Sequence, residues 1–366
     1  MVGLAAAGAA QAPDPLLAVG VTVHLALLWL LYLTLANGIV EPAAVALALA
    51  GGLLIQAPFA IEQTLRQTTW PLRVLLGWPS DFTPRSVGAS VLLGAGGARW
   101  LRAYGPFYHP NILGGYLALE LVLLIGGIGV LWNRPRSSLP RLLFGLPVGI
   151  ALVCLTIAAS RGAWLAAAAG VLAFAAGGMR GAAGKVRARW PGRWGAIGAA
   201  ALAAAVLATG FVIFRPPLSE RFDPQSNRLE QQSVQERVFF DQVGLHLLMA
   251  HPWLGVGAGN VDLAETAYFH GADIPLPVHN VPLLMAVELG PGGALAWAVA
   301  AGSILWRTWR RPGWWTVAFA AALVVVGTAG LFDHYFWRFP TARTTAVVVA
   351  GAWAAALRAD ARRRWL

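Results

Sequence analysis

Apolar residues along this chain fall into blocks of about 20, separated by shorter polar segments, and that is the length of helix that crosses a bilayer core. Such blocks run over Leu16–Ala36, Val40–Ala60, Ile112–Trp132, Leu142–Ala159, Ala163–Gly178, Ala196–Phe214, Val281–Leu305, Trp314–Leu331 and Ala342–Leu357. The fifth is short and extends through Arg161. The longest polar stretch, Arg215–Glu236, opens on Pro216-Pro217. It is followed by Arg237–Ala250, where Val238, Phe239, Val243, Leu247 and Leu248 recur at helical spacing. The pattern predicts an all-α, polytopic transmembrane helix bundle of about nine spans, forming a single domain over residues 1–366. Residues 61–110 form a first outer loop, and residues 215–280 a large outer loop that contains an amphipathic helix.

Composition agrees: 58% of the 366 residues are hydrophobic and only 12% are charged, too few to cover a soluble domain of this length. The net charge of +11 suggests nucleic acid until its distribution is considered. Clusters at Arg134–Arg141, Arg180–Arg193, Arg307–Arg311 and Arg358–Arg364 all fall on one side of an alternating nine-span chain, and the positive-inside rule assigns that side to the cytoplasm. These clusters hold 15 of the 27 basic residues; the outer side holds 12, with 12 of the 16 acids. The basic excess is therefore an insertion signal, and nucleic-acid binding is excluded. The only cysteine, Cys154, lies in an apolar block and reads as a buried structural thiol; an internal disulfide is impossible and no cysteine zinc site is expected. An odd number of spans leaves the N-terminus outside without a basic signal region, so Met1–Ala12 is read as the stub of a further upstream helix.

Walker A, His-Glu-x-x-His and nucleophile-elbow motifs are absent. The residues with chemical potential instead lie at the outer ends of spans. Ser160-Arg161-Gly162 occupies a tight turn, where the arginine is either a snorkelling anchor or a ligand for an anion. Arg237 opens the amphipathic helix, where a solvated surface role is the simplest reading. His279-Asn280 precedes the seventh span, and a histidine there is either structural or a base near neutral pH. Gly290 and Gly293 follow, small residues that let a helix approach closely. Gly255-Val-Gly257-Ala-Gly259 reads as a tight turn after His251-Pro252. Glu120 and Glu288 fall inside spans; a carboxylate at that depth is a functional candidate, although Glu288 is close enough to an end to reach water.

Four stretches together resemble the O-antigen ligase and polymerase family. They are Tyr104-Gly-Pro-Phe-Tyr-His109-Pro-Asn111-Ile-Leu-Gly-Gly-Tyr116; Ser160-Arg161-Gly162-Ala-Trp164; Glu236-Arg237 followed by His251-Pro252-Trp-Leu-Gly255-Val-Gly257-Ala-Gly259-Asn260; and His279-Asn280, nine residues, then Gly290 and Gly293. The last is similar to the family's His-Asn, nine-residue, Gly-x-x-Gly signature. The resemblance covers about Arg102–Leu357, and the N-terminal part has fewer helices than the family usually shows.

The resemblance implies a GT-C-like membrane glycosyltransferase of the bacterial cytoplasmic membrane. Such an enzyme moves glycan from a polyprenyl-diphosphate carrier to a glycan or lipid acceptor on the outer face, with no metal, nucleotide sugar or other cofactor. It assigns His279 as the base and Arg161 and Arg237 to the diphosphate. Arg102, His109, Asn280, His334 and Arg338 are secondary candidates for substrate contact. Two other classes remain open: a lipid or solute transporter, which the buried carboxylates and Gly-rich spans suit, and a non-catalytic component of a polysaccharide-export complex.

Overall fold

A computed structural model describes residues 1–78, 81–94, 97–132, 139–183, 228–269 and 278–362. The sixth predicted span, the basic loop before it and the start of the large outer loop through residue 227 lie outside the described residues. The described chain is almost wholly helical: α1 Val2–Ala9, α2 Pro15–Ala36, α3 Pro42–Gly51, α4 Leu53–Arg66, α5 Trp70–Leu76, α6 Pro110–Trp132, α7 Leu139–Ala158, α8 Arg161–Ala183, α9 Arg228–Ala250, α10 Val261–Tyr268, α11 Val281–Leu289, α12 Pro291–Arg310, α13 Trp314–Gly330, α14 Tyr335–Arg338 and α15 Pro340–Arg362. A two-stranded antiparallel hairpin, β1 Val91–Leu93 and β2 Arg99–Leu101, sits before α6. Among the described residues, four segments are long and apolar enough to cross a membrane: Pro15–Ala36, Pro42–Arg66, Pro110–Ile128 and Arg161–Met179.

The chain divides into two compact units, the first made of Met1–Glu41, Gln232–Arg311 and Val326–Leu366, the second of Pro42–Gln231 and Pro312–Val325. In the second unit α6 is the central helix, packed mainly on α7 and α8, with Leu113, Leu117, Leu119 and Val122 fully buried. Glycines set how close its neighbours come. A Cβ on Gly126 would stand 2.7 Å from the Ala318 methyl, and one on Gly170 2.5 Å from a Val325 methyl. Small residues at crossing points are how helices gain contact where lipid removes the hydrophobic drive. The second predicted span is broken at Gly52, where α3 passes to α4. A Cβ there would lie 2.7 Å from Glu120 Oε1, and Gln56 Nε2 donates to the same oxygen at 2.6 Å. The carboxyl of Glu120 thus has a specific amide partner at membrane depth.

In the first unit α2 lies along α15, where Gly351 receives the side chain of Leu35. The outward surface of α2, with Leu16, Val23, Leu27, Trp29 and Leu30, is exposed and apolar, as a lipid-facing helix requires. Within Met1–Ala12, Val2–Ala9 form α1, which buries Ala5 and Ala9, and beyond it Gln11 Nε2 donates to the Gly255 carbonyl at 3.0 Å.

The seventh predicted span is not one helix. It stops at Leu289 and restarts at Pro291, because Gly290 adopts φ 72° and ψ 179°, a region open essentially to glycine alone. The break frees carbonyls at the end of α11, and the glycine loop answers them: Val256 N–H donates to Val287 O at 2.8 Å and Gly257 N–H to Glu288 O at 3.1 Å. Gly255, Gly257 and Gly259 all take positive φ to do so, so the tight-turn reading of that loop holds. Gly293, expected to admit another helix, instead packs on Met285 and Leu289 of the preceding one. Glu288 does not reach water either: it is buried and accepts a hydrogen bond from Trp337 Nε1 at 2.8 Å.

A Cβ on Gly290 would stand 2.0 Å from Trp253 O. Gly290→Ala is therefore expected to cost roughly 3 kcal/mol or more, read as a large fall in the thermal midpoint of the detergent-purified protein. Gly302→Ala, on α12 with nothing within 4 Å of its Cβ, should leave the midpoint unchanged or slightly raised. Equal midpoints for the two variants would show that the helix break does not depend on this glycine.

Candidate functional site

In the first unit, α9 presents Arg237 and, one turn on, Asp241. Gly244 brings this helix against the next segment, since a Cβ there would meet a Val278 methyl at 2.6 Å. Asp241 consequently lies beside the His279 backbone. Burial pushes its carboxyl up, while the His279 backbone hydrogen bond and the Arg237 charge pull it back down. Asn280 is extended and caps α11, its Oδ1 accepting from Leu283 N–H at 3.0 Å and its Nδ2 donating to Leu331 O at 3.5 Å. These contacts give Asn280 a positioning role: it fixes the start of α11 and so the point from which His279 projects.

Across from His279 is the turn between α13 and α14. The His334 ring stands edge-on to the His279 ring, with centroids 4.8 Å apart at 81°. Asp333 Oδ1 is 3.2 Å from His334 Nδ1 and accepts the His334 backbone N–H at 2.8 Å. Further along, Arg338 donates from both terminal nitrogens to the two carboxylate oxygens of Asp262. Burial alone would lower the Arg338 pKa, but this fork-to-fork pair and the neighbouring acids outweigh it and hold the guanidinium charged. Arg343 sits over the Trp337 ring and donates to the Trp337 and Arg338 carbonyls, closing the end of α14.

The second unit positions Arg161, Arg102 and His109. Helix α7 ends at Ala158, Ala159 takes φ 49°, and Arg161 begins α8. The backbone reverses within these few residues, as the sequence requires. Gly114 allows the turn to be met by α6, since its Cβ would be 2.8 Å from the Ala163 methyl and 3.1 Å from Ser160 Cβ. Arg102 is buried and committed to protein acceptors: Nε donates to Ala158 O at 3.0 Å, Nη1 to Ser90 Oγ at 2.8 Å and Nη2 to Asn111 Oδ1 at 2.7 Å. His109 Nδ1 accepts the Asn111 N–H at 3.1 Å at the start of α6. Both hold the shaped loop, as does Gln63 of α4, whose Oε1 accepts from Tyr104 and Gly105 N–H at 2.9 Å each.

The four stretches thus pair off locally. The Tyr104–Tyr116 stretch packs on the Ser160–Trp164 turn in the second unit. The Arg237 helix and its glycine loop pack on His279 and α11 in the first. Residues 146–298 match the family model described as O-antigen ligase.

This segment is similar to the O-antigen ligase family.

The matched segment contains Arg161, Arg237 and His279. No curated protein and no solved structure matches the chain. The long apolar helices and the match support a membrane protein of polysaccharide biosynthesis, and the matched family implies glycosyltransferase-type activity in general.

Sequence reasoning passed over three acids in the first unit: Asp241, Asp262 and Glu265. All lie on polar helix faces that read as solvated. Asp262 and Glu265 are one turn apart just after the Asn260 cap position, a weak signal for a shared face. Glu265 is fully buried, and its pKa is pushed up to about 8, first by burial and then by Asp262, with Arg338 and the Val278 backbone opposing. From pH 4.5, the ordinary value, to about 8, the folded state holds a proton that the unfolded chain has released. Stability must fall as pH rises through that window. The apparent thermal midpoint should therefore decline between pH 5 and pH 8, and Glu265→Gln should flatten the profile, raising the pH 8 midpoint by about 2 °C or more. Parallel profiles for the two proteins would overturn the assignment.

Proposed function

We propose that this chain is a membrane glycosyltransferase of the O-antigen ligase or polymerase type with a GT-C-like bundle. It transfers glycan from a polyprenyl-diphosphate carrier to a lipid- or glycan-linked acceptor. The reaction takes place on the outer face of the bacterial cytoplasmic membrane and needs no metal. The observation that carries this reading is the O-antigen ligase match over 146–298, which takes in Arg161, Arg237 and His279 together.

In the reaction, an acceptor hydroxyl oxygen attacks the anomeric carbon of the donor sugar. A new glycosidic bond forms, the carbon–oxygen bond to the diphosphate breaks, and the hydroxyl proton passes to His279. The diphosphate leaves with its charge increased. Arg237 offers a fixed planar donor set for that charge. Arg161 stands in the first turn of α8, where a cation opposes the helix dipole and a bound anion relieves the conflict. Arg338 is already engaged with Asp262, so its contribution is to orient α10 and the His334 turn rather than to bind diphosphate directly.

Incubating the purified full chain with lipid-linked oligosaccharide and acceptor in liposomes tests the proposal. A new glycosidic product with release of polyprenyl diphosphate is expected. Movement of the carrier across the vesicle without product would favour a transporter, and neither outcome would favour a non-catalytic partner.

A further inference from the structure

We infer that His279, Asp333 and His334 form a binding site for a divalent ion of the zinc class, and that the ion shuts off transfer by occupying the base. Each residue offers one ligand atom, and these atoms lie within 4.8 Å of one another. It is the one such group of three among the described residues. Ligand atoms around a tetrahedral zinc stand roughly 3.3 Å apart, given metal–ligand distances near 2.1 Å. Small rotations of two imidazoles and one carboxylate close that difference.

The backbone beneath the three donors is already fixed. Asn280 caps α11 immediately after His279 and also reaches Leu331 O at 3.5 Å, tying the two segments together. Gly330 packs on Val281, with its Cβ position 3.2 Å from a valine methyl. On the other side, Asp333 N–H donates to Ala329 O at 2.9 Å, and the His334 carbonyl accepts the Trp337 and Arg338 N–H groups at 3.0 and 2.9 Å. Arg338, four residues beyond His334, is paired with Asp262, and the Asp333 carboxylate stands 3.2 Å from the His334 ring nitrogen. The donor set selects the metal. Two imidazoles with one carboxylate suit zinc and its neighbours and leave a coordination position open. Magnesium and calcium take oxygen ligands and octahedral or larger shells.

The second half of the inference rests on the reading of His279 as the base. A metal on its ring nitrogen uses the lone pair that would accept the acceptor's proton, so the bound ion inhibits, and a chelator restores activity. Metal-independent transfer and metal-sensitive transfer are then two aspects of one site.

The test uses the full chain, purified with a tag that contains no histidine, stripped with EDTA and exchanged into chelator-free buffer. Zinc is titrated against a chromophoric chelator. One site is expected in the wild type, weakened at least about tenfold in His334→Ala and again in Asp333→Asn, and retained in His246→Ala and His251→Ala. Millimolar magnesium should not displace the zinc. Zinc should also raise the thermal midpoint of the wild type and not that of the two site variants, a readout that depends on folded protein only. Equal zinc affinity in wild type, His334→Ala and Asp333→Asn would overturn the site. Glycan transfer from lipid-linked oligosaccharide should fall with the same midpoint as zinc binding and return on adding EDTA. A wild type that binds zinc through these residues yet transfers at full rate when saturated would leave the site standing and overturn His279 as the base.

Discussion

His279→Ala is expected to reduce glycan transfer about 10²–10⁴-fold, the range by which a positioned general base accelerates proton transfer. The loss should fall on kcat rather than KM, because the proton moves only as the acceptor attacks and little ground-state binding depends on it. The structure separates this effect from misfolding. The backbone of His279 lies on the Asp241 carboxylate, and the neighbouring Asn280 carries the helix cap. Truncating the imidazole leaves both in place, so the thermal midpoint of His279→Ala should stay within about 2 °C of wild type. Asn280→Ala is the complementary variant. It removes the cap of α11, lowers the midpoint and displaces His279 without altering its chemistry. A purified His279→Ala protein that transfers glycan at the wild-type rate would refute the role assigned to the imidazole.

Much of the helical framework was legible in the sequence. Helices α2, α6, α8, α13 and α15 coincide closely with apolar blocks, because length and hydropathy alone decide whether a segment can be buried in lipid. The breaks were not. Val281–Leu305 is apolar apart from Glu288 and Ser303, and nothing in hydropathy marks φ 72° at Gly290; the constraint comes from Trp253, far away in sequence, whose carbonyl occupies the place a Cβ would need. The Gly52 break was hidden in the same way by its apolar flanks. His279, Arg237 and Arg161 stood out as candidates through the family resemblance of the stretches that carry them. Asp241 and Glu265 did not, since half-buried Asp241 and buried Glu265 owe their surroundings to long-range packing that a local pattern does not show. Arg102 shows the opposite case: a residue that reads as an outer-loop substrate contact but whose three hydrogen bonds pin the loop to α6 and α7.

Arg237→Lys keeps the charge and tests the geometry. Arginine at this position has its Nε buried and without a hydrogen-bond partner among the described residues, while Asp241, one turn on, interacts with it electrostatically. A lysine would preserve that charge pairing, so the fold and the Asp241 environment should change little. It would lose the planar fork that grips two oxygens of a diphosphate at once. If Arg237 meets the departing diphosphate, the charge it faces grows in the transition state, and a point charge on a flexible stem follows that growth less well than pre-set donors. Arg237→Lys should then lower kcat about 10-fold to 10²-fold, and Arg237→Gln, which loses the charge as well, about 10²–10³-fold. The order of the two variants carries the argument. A lysine variant with wild-type kcat and a crippled glutamine variant would leave charge as the only requirement at this position. Wild-type rates for both would remove Arg237 from the diphosphate site, and its guanidinium would then be a support for Asp241 and, through it, for the backbone of His279.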